Sequence, residues 1–252
     1  MPTRARLDPP VAPVWRQQWL EFTALHWTYP PESVQALLPQ ELAVQQFDGT
    51  AWVSLTPLLM NDVAPIGLPA LPWISQFPEI NLRTYVRGPD GEEGLWFFSL
   101  EAARLPFVLA ARATYGVPYV WASMRYEQPE LGVRRFESRR CWPGSAGTLI
   151  DVTVDAGEEI PESDLTELDV FLTSRWRAYS VHPVFGLLVT DVGHPPWPLR
   201  AARVRHLEET VLAAAGLPPH GSPALVHFSP GVDIRLGLPR PVPADRGAGA
   251  TR

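Results

Sequence analysis

Proline is the feature of this chain that most limits its fold: 29 of the 252 residues are proline. Each one lacks a backbone N–H and holds φ at about −65°, so it ends a helix or stays at the margins and bulges of a sheet. Prolines spaced as they are here cut the chain into short elements. Between them lie many strand-like runs and a few scattered helical ones, with no βαβ alternation. That pattern predicts an α+β fold with a mainly antiparallel sheet.

Individual segments sharpen the expectation. Residues 50–59 are rich in β-branched and apolar side chains and read as a strand. Residues 80–87 alternate, with Ile80, Leu82, Thr84 and Val86 on one face and Asn81, Arg83, Tyr85 and Arg87 on the other. A turn at Pro89-Asp90-Gly91 leads to a returning strand at 95–102, on which Leu95, Phe97, Ser99 and Glu101 share a side. Further strands are expected at 119–127, 136–142, 149–155, 187–192 and 225–229. Short helices are expected at 31–38, at 107–115 closed by Gly116, and at 207–215 closed by Gly216. Asp164-Leu-Thr-Glu167 has capping-box spacing and predicts a helix running to about residue 176, striped by Leu165, Leu168, Leu172 and Trp176. Strands 50–59, 80–87, 95–102, 119–127 and 149–155 are expected to join one sheet with helices outside it. One domain spans 15–240, and residues 1–14 and 241–252 read as loose tails.

Composition removes whole classes of chemistry. All 21 basic residues are arginine, so no side chain offers the primary amine that a Schiff base requires. Any anion recognised here meets guanidinium forks. A net charge of −6 and a pI near 5.5 offer no global attraction for nucleic acid or an anionic membrane. Arg134, Arg135, Arg139 and Arg140 form one local basic cluster, read as a solvated strand or an anion patch. The single cysteine, Cys141, excludes an intrachain disulfide and is expected to be a buried structural thiol. With no leader-like segment and no apolar run of membrane-spanning length, a soluble cytoplasmic protein is expected.

No nucleophile elbow, zinc motif or dinucleotide fingerprint occurs, and the six histidines stand singly, so no cofactor and no metal is expected. What remains is a set of peptides dense in aromatic and charged residues. Glu79, Asn81, Arg83 and Tyr85 share one strand face, Glu101 ends an apolar strand, and Arg175, Arg177 and Tyr179 follow the predicted capped helix at period two. His194 sits in a stiff loop, His194-Pro-Pro-Trp-Pro-Leu199. On pattern alone the polar face of 80–87 is the wet side of a half-buried sheet, Arg175 serves a helix end, and His194 stiffens a loop.

Those peptides also carry a resemblance. Leu25-His-Trp27, Phe47-Asp-Gly-Thr-Ala-Trp-Val53, Phe77-Pro-Glu-Ile-Asn-Leu-Arg-Thr-Tyr-Val86, Gly94-Leu-Trp-Phe-Phe-Ser-Leu100, the peptide ending at Tyr179, His194-Pro-Pro-Trp-Pro-Leu199 and His227-Phe-Ser-Pro-Gly-Val-Asp233 resemble, in collinear order, the YqjF-like bacterial family of unknown function. The resemblance implies an acetoacetate-decarboxylase-like fold, a mostly antiparallel, strongly bent sheet closing into a barrel or cone around a ligand cavity, with a few helices outside it. The polar face of 80–87 would then line that cavity. The decarboxylase's catalytic lysine has no counterpart here, so a Schiff-base mechanism is excluded.

Three functions stay open. The first is a lyase-like or hydrolase-like enzyme that acts on a small carbonyl or carboxylate compound by acid–base chemistry. In it Glu79 or Glu101 moves the proton, Tyr179 or His194 assists, and Asn81, Arg83 and Arg175 bind substrate. The second is a non-catalytic small-molecule binder, and the third a structural protein. A small molecule is the expected partner, nucleic acid and membrane are not, and self-association is left open. Arg83 is expected to be buried beside a carboxylate, Glu79 or Glu101.

Overall fold

The computed structural model describes residues 12–144 and 147–242. In chain order it contains β1 (Trp15–Tyr29), α1 (Pro31–Gln35), β2 (Ala43–Val44), β3 (Gln46–Phe47), β4 (Thr50–Pro65), β5 (Phe77–Arg87) and β6 (Glu93–Ala102). There follow α2 (Leu105–Tyr115), β7 (Tyr119–Glu127), β8 (Val133–Trp142), β9 (Leu149–Glu159), a 3-10 turn (Glu162–Asp164), α3 (Glu167–Thr173) and β10 (Arg177–His182). The order ends with β11 (Gly186–Gly193), β12 (Arg200–Glu209), α4 (Val211–Ala214), β13 (Leu225–Leu236) and β14 (Arg240–Pro241).

Hydrogen-bonded neighbours close a ring, β1-β4-β5-β6-β7-β8-β9-β12-β13 and back to β1. A second path leaves β6 through β10 and β11 and rejoins at β13. The strands common to both paths, β13, β1, β4, β5 and β6, are therefore covered on both faces. One face packs Phe22, Leu58, Phe97, Leu100, Trp197 and Ile234 into a first core. The other packs Leu25, Leu55, Leu82, Phe136, Val152 and Leu212 into a second. Alternate residues of β4 and β5 thus enter different cores, and the half-wet sheet suggested by pattern alone does not form. All five strands expected in one sheet are in it, and the pairing is antiparallel except where β6 meets β7 and β10.

The strands run longer than proline spacing predicts, and the reason is local. Pro57 lies within β4, where residues 56–58 have no partner on β1 because the register shifts between Leu20 and Leu25. Glu21, at φ +50°, sits in the same irregularity. A missing donor costs little where the ladder is already interrupted. The predicted helix 207–215 shrinks to α4, because Leu207–Glu209 pair with β9 instead. The capping box lies two residues later than Asp164 and Glu167: Thr166 accepts from the Asp169 N–H and the Asp169 carboxylate accepts from the Thr166 N–H. Asp164 belongs to the preceding 3-10 turn, and α3 ends before Trp176.

One further expectation is corrected. Cys141 is exposed, near the outer end of β8. The arginine cluster resolves into separate ion pairs, Arg134 with Glu21, Arg135 with Asp151 and Glu137, and Arg140 with Glu101, while Arg139 is exposed. At the end of the described residues, Arg240–Pro241 pair with β11. Expectations for residues 1–11 and 243–252 lie outside the described residues.

Candidate functional site

Between the shared strands and the β10–β11 path lies a cavity of about 200 Å³. That is below the roughly 300–1,000 Å³ of sites for drug-sized molecules, so the space admits only a small molecule. Its walls are apolar and aromatic, including Trp19, Phe97, Leu100 and Trp197, and Phe107 and Ala111 of α2 close one side. Into this apolar space β5 projects Glu79, Asn81 and Arg83 at period two. Arg175, just past the end of α3, joins them, and His194 and Tyr119 are among the other polar residues of the lining.

Glu79 is 1% exposed and accepts a hydrogen bond from the Tyr119 hydroxyl at 2.9 Å. Burial raises its pKa to about 7, against the opposing effect of the Tyr119 and Asn81 hydrogen bonds. It is therefore poised to hold or release a proton near neutrality. The Tyr119 hydroxyl is pushed up in turn, by burial and by the neighbouring carboxyl, and stays a donor. The Asn81 side-chain oxygen has no protein partner although it is buried.

Arg83 is 4% exposed, as expected, but no carboxylate among the described residues pairs with it. Its guanidinium lies over the Phe22 ring, 5.5 Å from the centroid, and its Nε has no hydrogen-bond partner. Burial lowers its pKa, with Tyr85 opposing. Arg175 is as deeply buried; it donates to the Ser174 carbonyl and to Gln45 Oε1, stacks 4.6 Å from the Phe171 ring centroid, and leaves its own Nε unpaired. Its nearest carboxylate, Glu93, is 4.0 Å away. Two buried guanidiniums thus face one apolar cavity without full compensation inside the protein.

Two expected site residues are not in the cavity. Between the Leu82–Ser99 and Arg83–Phe97 pairs the register slips by one, leaving Phe98 unpaired. Leu95 and Phe97 face the cavity on one side of that bulge and Leu100 on the other, whereas Ser99 and Glu101 turn to the opposite face. There Glu101 pairs with Arg140, and it does not reach Arg83. Tyr179, on β10, donates to Asp90 at 2.8 Å and packs against the β5–β6 turn, away from the cavity. His194 lines the cavity with Nε2 3.0 Å from the Arg175 carbonyl, and burial lowers its pKa. Sequence reasoning missed Tyr119, and it missed a buried group under Arg83 made of His26, Ser54, Tyr85, Asp169 and His227. Among the described residues no group of three or more His, Cys, Asp or Glu converges to hold a metal. No helix among them is long and apolar enough to cross a membrane.

Residues 16–233 match the model of DUF2071, described as an uncharacterized conserved protein. The chain belongs to the DUF2071 family. One relative, the uncharacterized protein YqjF of Bacillus subtilis (strain 168), is 31% identical over 221 residues, 88% of this chain and 89% of YqjF. The fold matches acetoacetate decarboxylase of Legionella pneumophila with a TM-score of 0.67 at 17% identity, covering 97% of this chain and 93% of that one. It matches an acetoacetate decarboxylase-like enzyme of Sphingomonas wittichii with a TM-score of 0.63 at 14% identity, covering 92% and 94% of the two chains. The enduracididine biosynthesis enzyme MppR, solved with pyruvate, gives 0.60 at 14%, covering 94% and 91%. These likenesses establish the acetoacetate-decarboxylase-like fold of this DUF2071 member.

Proposed function

We propose that this protein is a cytoplasmic enzyme acting on a small carboxylate or carbonyl compound by acid–base chemistry without a Schiff base. The observation that carries the reading is the convergence on one apolar cavity of two buried guanidiniums, each with its Nε unpartnered, and a carboxyl of pKa about 7. Arg83 and Arg175 bind the substrate's carboxylate, which supplies the charge the cavity lacks. Glu79 takes or gives the proton at the reacting carbon, and the Tyr119 hydroxyl stabilises its ionised form. The apolar walls exclude water and strengthen both interactions. Fold neighbours solved with pyruvate, or named for acetoacetate, support a keto-acid-sized ligand.

The second reading, binding without chemistry, draws on the almost wholly apolar remainder of the lining. A crystal structure of protein purified without added ligand, followed by incubation with C3–C8 keto and saturated carboxylates under mass-spectrometric detection, separates the two. Carboxylate density against Arg83 with turnover lost in Glu79→Gln supports the enzyme. Density without turnover of any compound supports the binder, and no carboxylate binding overturns both.

A further inference from the structure

A chain of five buried contacts runs beneath the cavity. The Asp169 carboxylate lies 2.8 Å from His227 Nε2, and His227 Nδ1 lies 3.2 Å from His26 Nε2. His26 Nδ1 is 2.7 Å from Ser54 Oγ, which is 2.8 Å from the Tyr85 hydroxyl. The Tyr85 hydroxyl is 2.9 Å from the Leu172 carbonyl oxygen, which can only accept. His26, Ser54 and Tyr85 are fully buried and His227 is 1% exposed. Both ends of the chain are anchored on α3, at Asp169 in its first turn and Leu172 near its end.

Each contact needs one proton between its two atoms; without it, lone pairs face each other in a low-dielectric interior. Neutral His26, neutral His227, Ser54 and Tyr85 bring one proton each, four in all, for five contacts. A carboxylate and a carbonyl bring none. One proton is therefore missing from the neutral inventory. Asp169 does not hold it: burial raises its pKa, but the bonds from His227 and Thr166 outweigh that and bring it to about 2. His26 does not hold it either, since burial, His227 and Arg83 all push it well down. The ionisable groups around His227 are Asp169 from α3, His26 from β1 and, beyond His26, Arg83 from β5. The groove it shares also contains Arg203, Arg205, His206, Glu208 and Glu209 of β12, with Asp164 and His220 at its margins.

We propose that His227 is held as an imidazolium paired with Asp169, and that the bonds it directs through His26, Ser54 and Tyr85 to the Leu172 carbonyl position Arg175 in the cavity. With the fifth proton present His227 donates from Nε2 to Asp169, and every other donor points from His227 toward Leu172. Without it one contact has no proton: either the ring nitrogens of His26 and His227 face each other as lone pairs, or the run of donors reverses, Tyr85 turns to Ser54, and the buried Leu172 carbonyl is left bare. Arg175 follows three residues later, with its guanidinium 5.3 Å from the Tyr85 ring centroid, so the end of α3 carries the cation with it. These are positioning residues, and what Arg175 binds rests on the carboxylate reading above.

Nitrogen-15 NMR of histidine-labelled protein tests the proton count without any ligand. The expected spectrum has both His227 nitrogens protonated, assigned through His227→Gln, and His26 in its Nδ1–H tautomer. Asp169→Asn should return His227 to a single proton. Tyr85→Phe keeps the ring against Arg175 but cuts the chain, and should speed amide exchange over residues 172–175 about tenfold while weakening octanoate binding about as much. A singly protonated His227 in the unmodified protein overturns the proposal, and so does unchanged exchange in Tyr85→Phe. If Asp169→Asn does not fold, the unmodified spectrum and Tyr85→Phe still decide. If no C3–C8 keto or saturated carboxylate binds the unmodified protein, the carboxylate reading fails, and the spectrum and exchange rates judge the chain separately.

Discussion

Glu79 links stability to pH in a direction opposite to an ordinary surface carboxylate. Its pKa rises from 4.5 to about 7 on folding, so the folded chain holds that proton more tightly than the unfolded chain does. The stability it contributes is fully present below about pH 4.5 and is lost as pH rises through 7, a span worth roughly 3 kcal/mol at about 1.4 kcal/mol per pH unit. Glu79→Gln should remove this slope, so urea unfolding at pH 8 should find the variant more stable than the unmodified protein, and at pH 4.5 no more stable. A second residue-scale prediction concerns Arg83. Arg83→Lys keeps the charge but loses the bidentate fork, and should weaken carboxylate recognition about 10- to 100-fold, read as Kd or as kcat/KM. Undiminished recognition would leave Arg175 as the sole cation of the site.

The bulge at Phe98 decides what β6 presents to the cavity. Because of it Glu101 belongs to a largely buried ion pair on the opposite face, where Arg140 and Glu101 side chains are 10% and 2% exposed. Glu101→Gln should therefore lower Tm, by roughly 1–3 kcal/mol of stability, and leave ligand affinity unchanged. A loss of affinity without a change in Tm would return Glu101 to the site. In β13, Gly231 has φ +128°, and an added Cβ would collide with the Trp19 carbonyl oxygen and lie 2.8 Å from Leu20 Cα. Gly231→Ala should cost roughly 2 kcal/mol or more, since the clash is with backbone that cannot rotate away. Denaturant titration checks it.

Across the whole molecule the absence of lysine meets the acetoacetate-decarboxylase-like fold. A fold whose neighbours include a decarboxylase here encloses a cavity in which no side chain can form an imine. Incubation with acetoacetate and borohydride should therefore leave every side chain unmodified. Peptide mass mapping should find no adduct anywhere between residues 16 and 233, the span that matches the family. A reduced adduct on a cavity residue would overturn the acid–base reading.

The sequence by itself determined the alternation of residues 80–87, and with it the grouping of Glu79, Asn81 and Arg83, because side-chain direction along a strand has a period of two. It determined the strand 119–127 and the helix closed by Gly116 for similarly local reasons. Proline spacing misled where prolines fell at irregularities, as Pro57 does, because a single sequence does not show where a ladder is broken. Only the tertiary structure decided that the polar face of β5 is dry, since that required a second set of strands, β10 and β11, to close over it. It alone excluded Glu101, because one unpaired residue inverts every side chain beyond it. And it alone joined His26 to His227, 201 residues apart, since buried hydrogen bonds between distant strands follow from packing and leave no period in the chain.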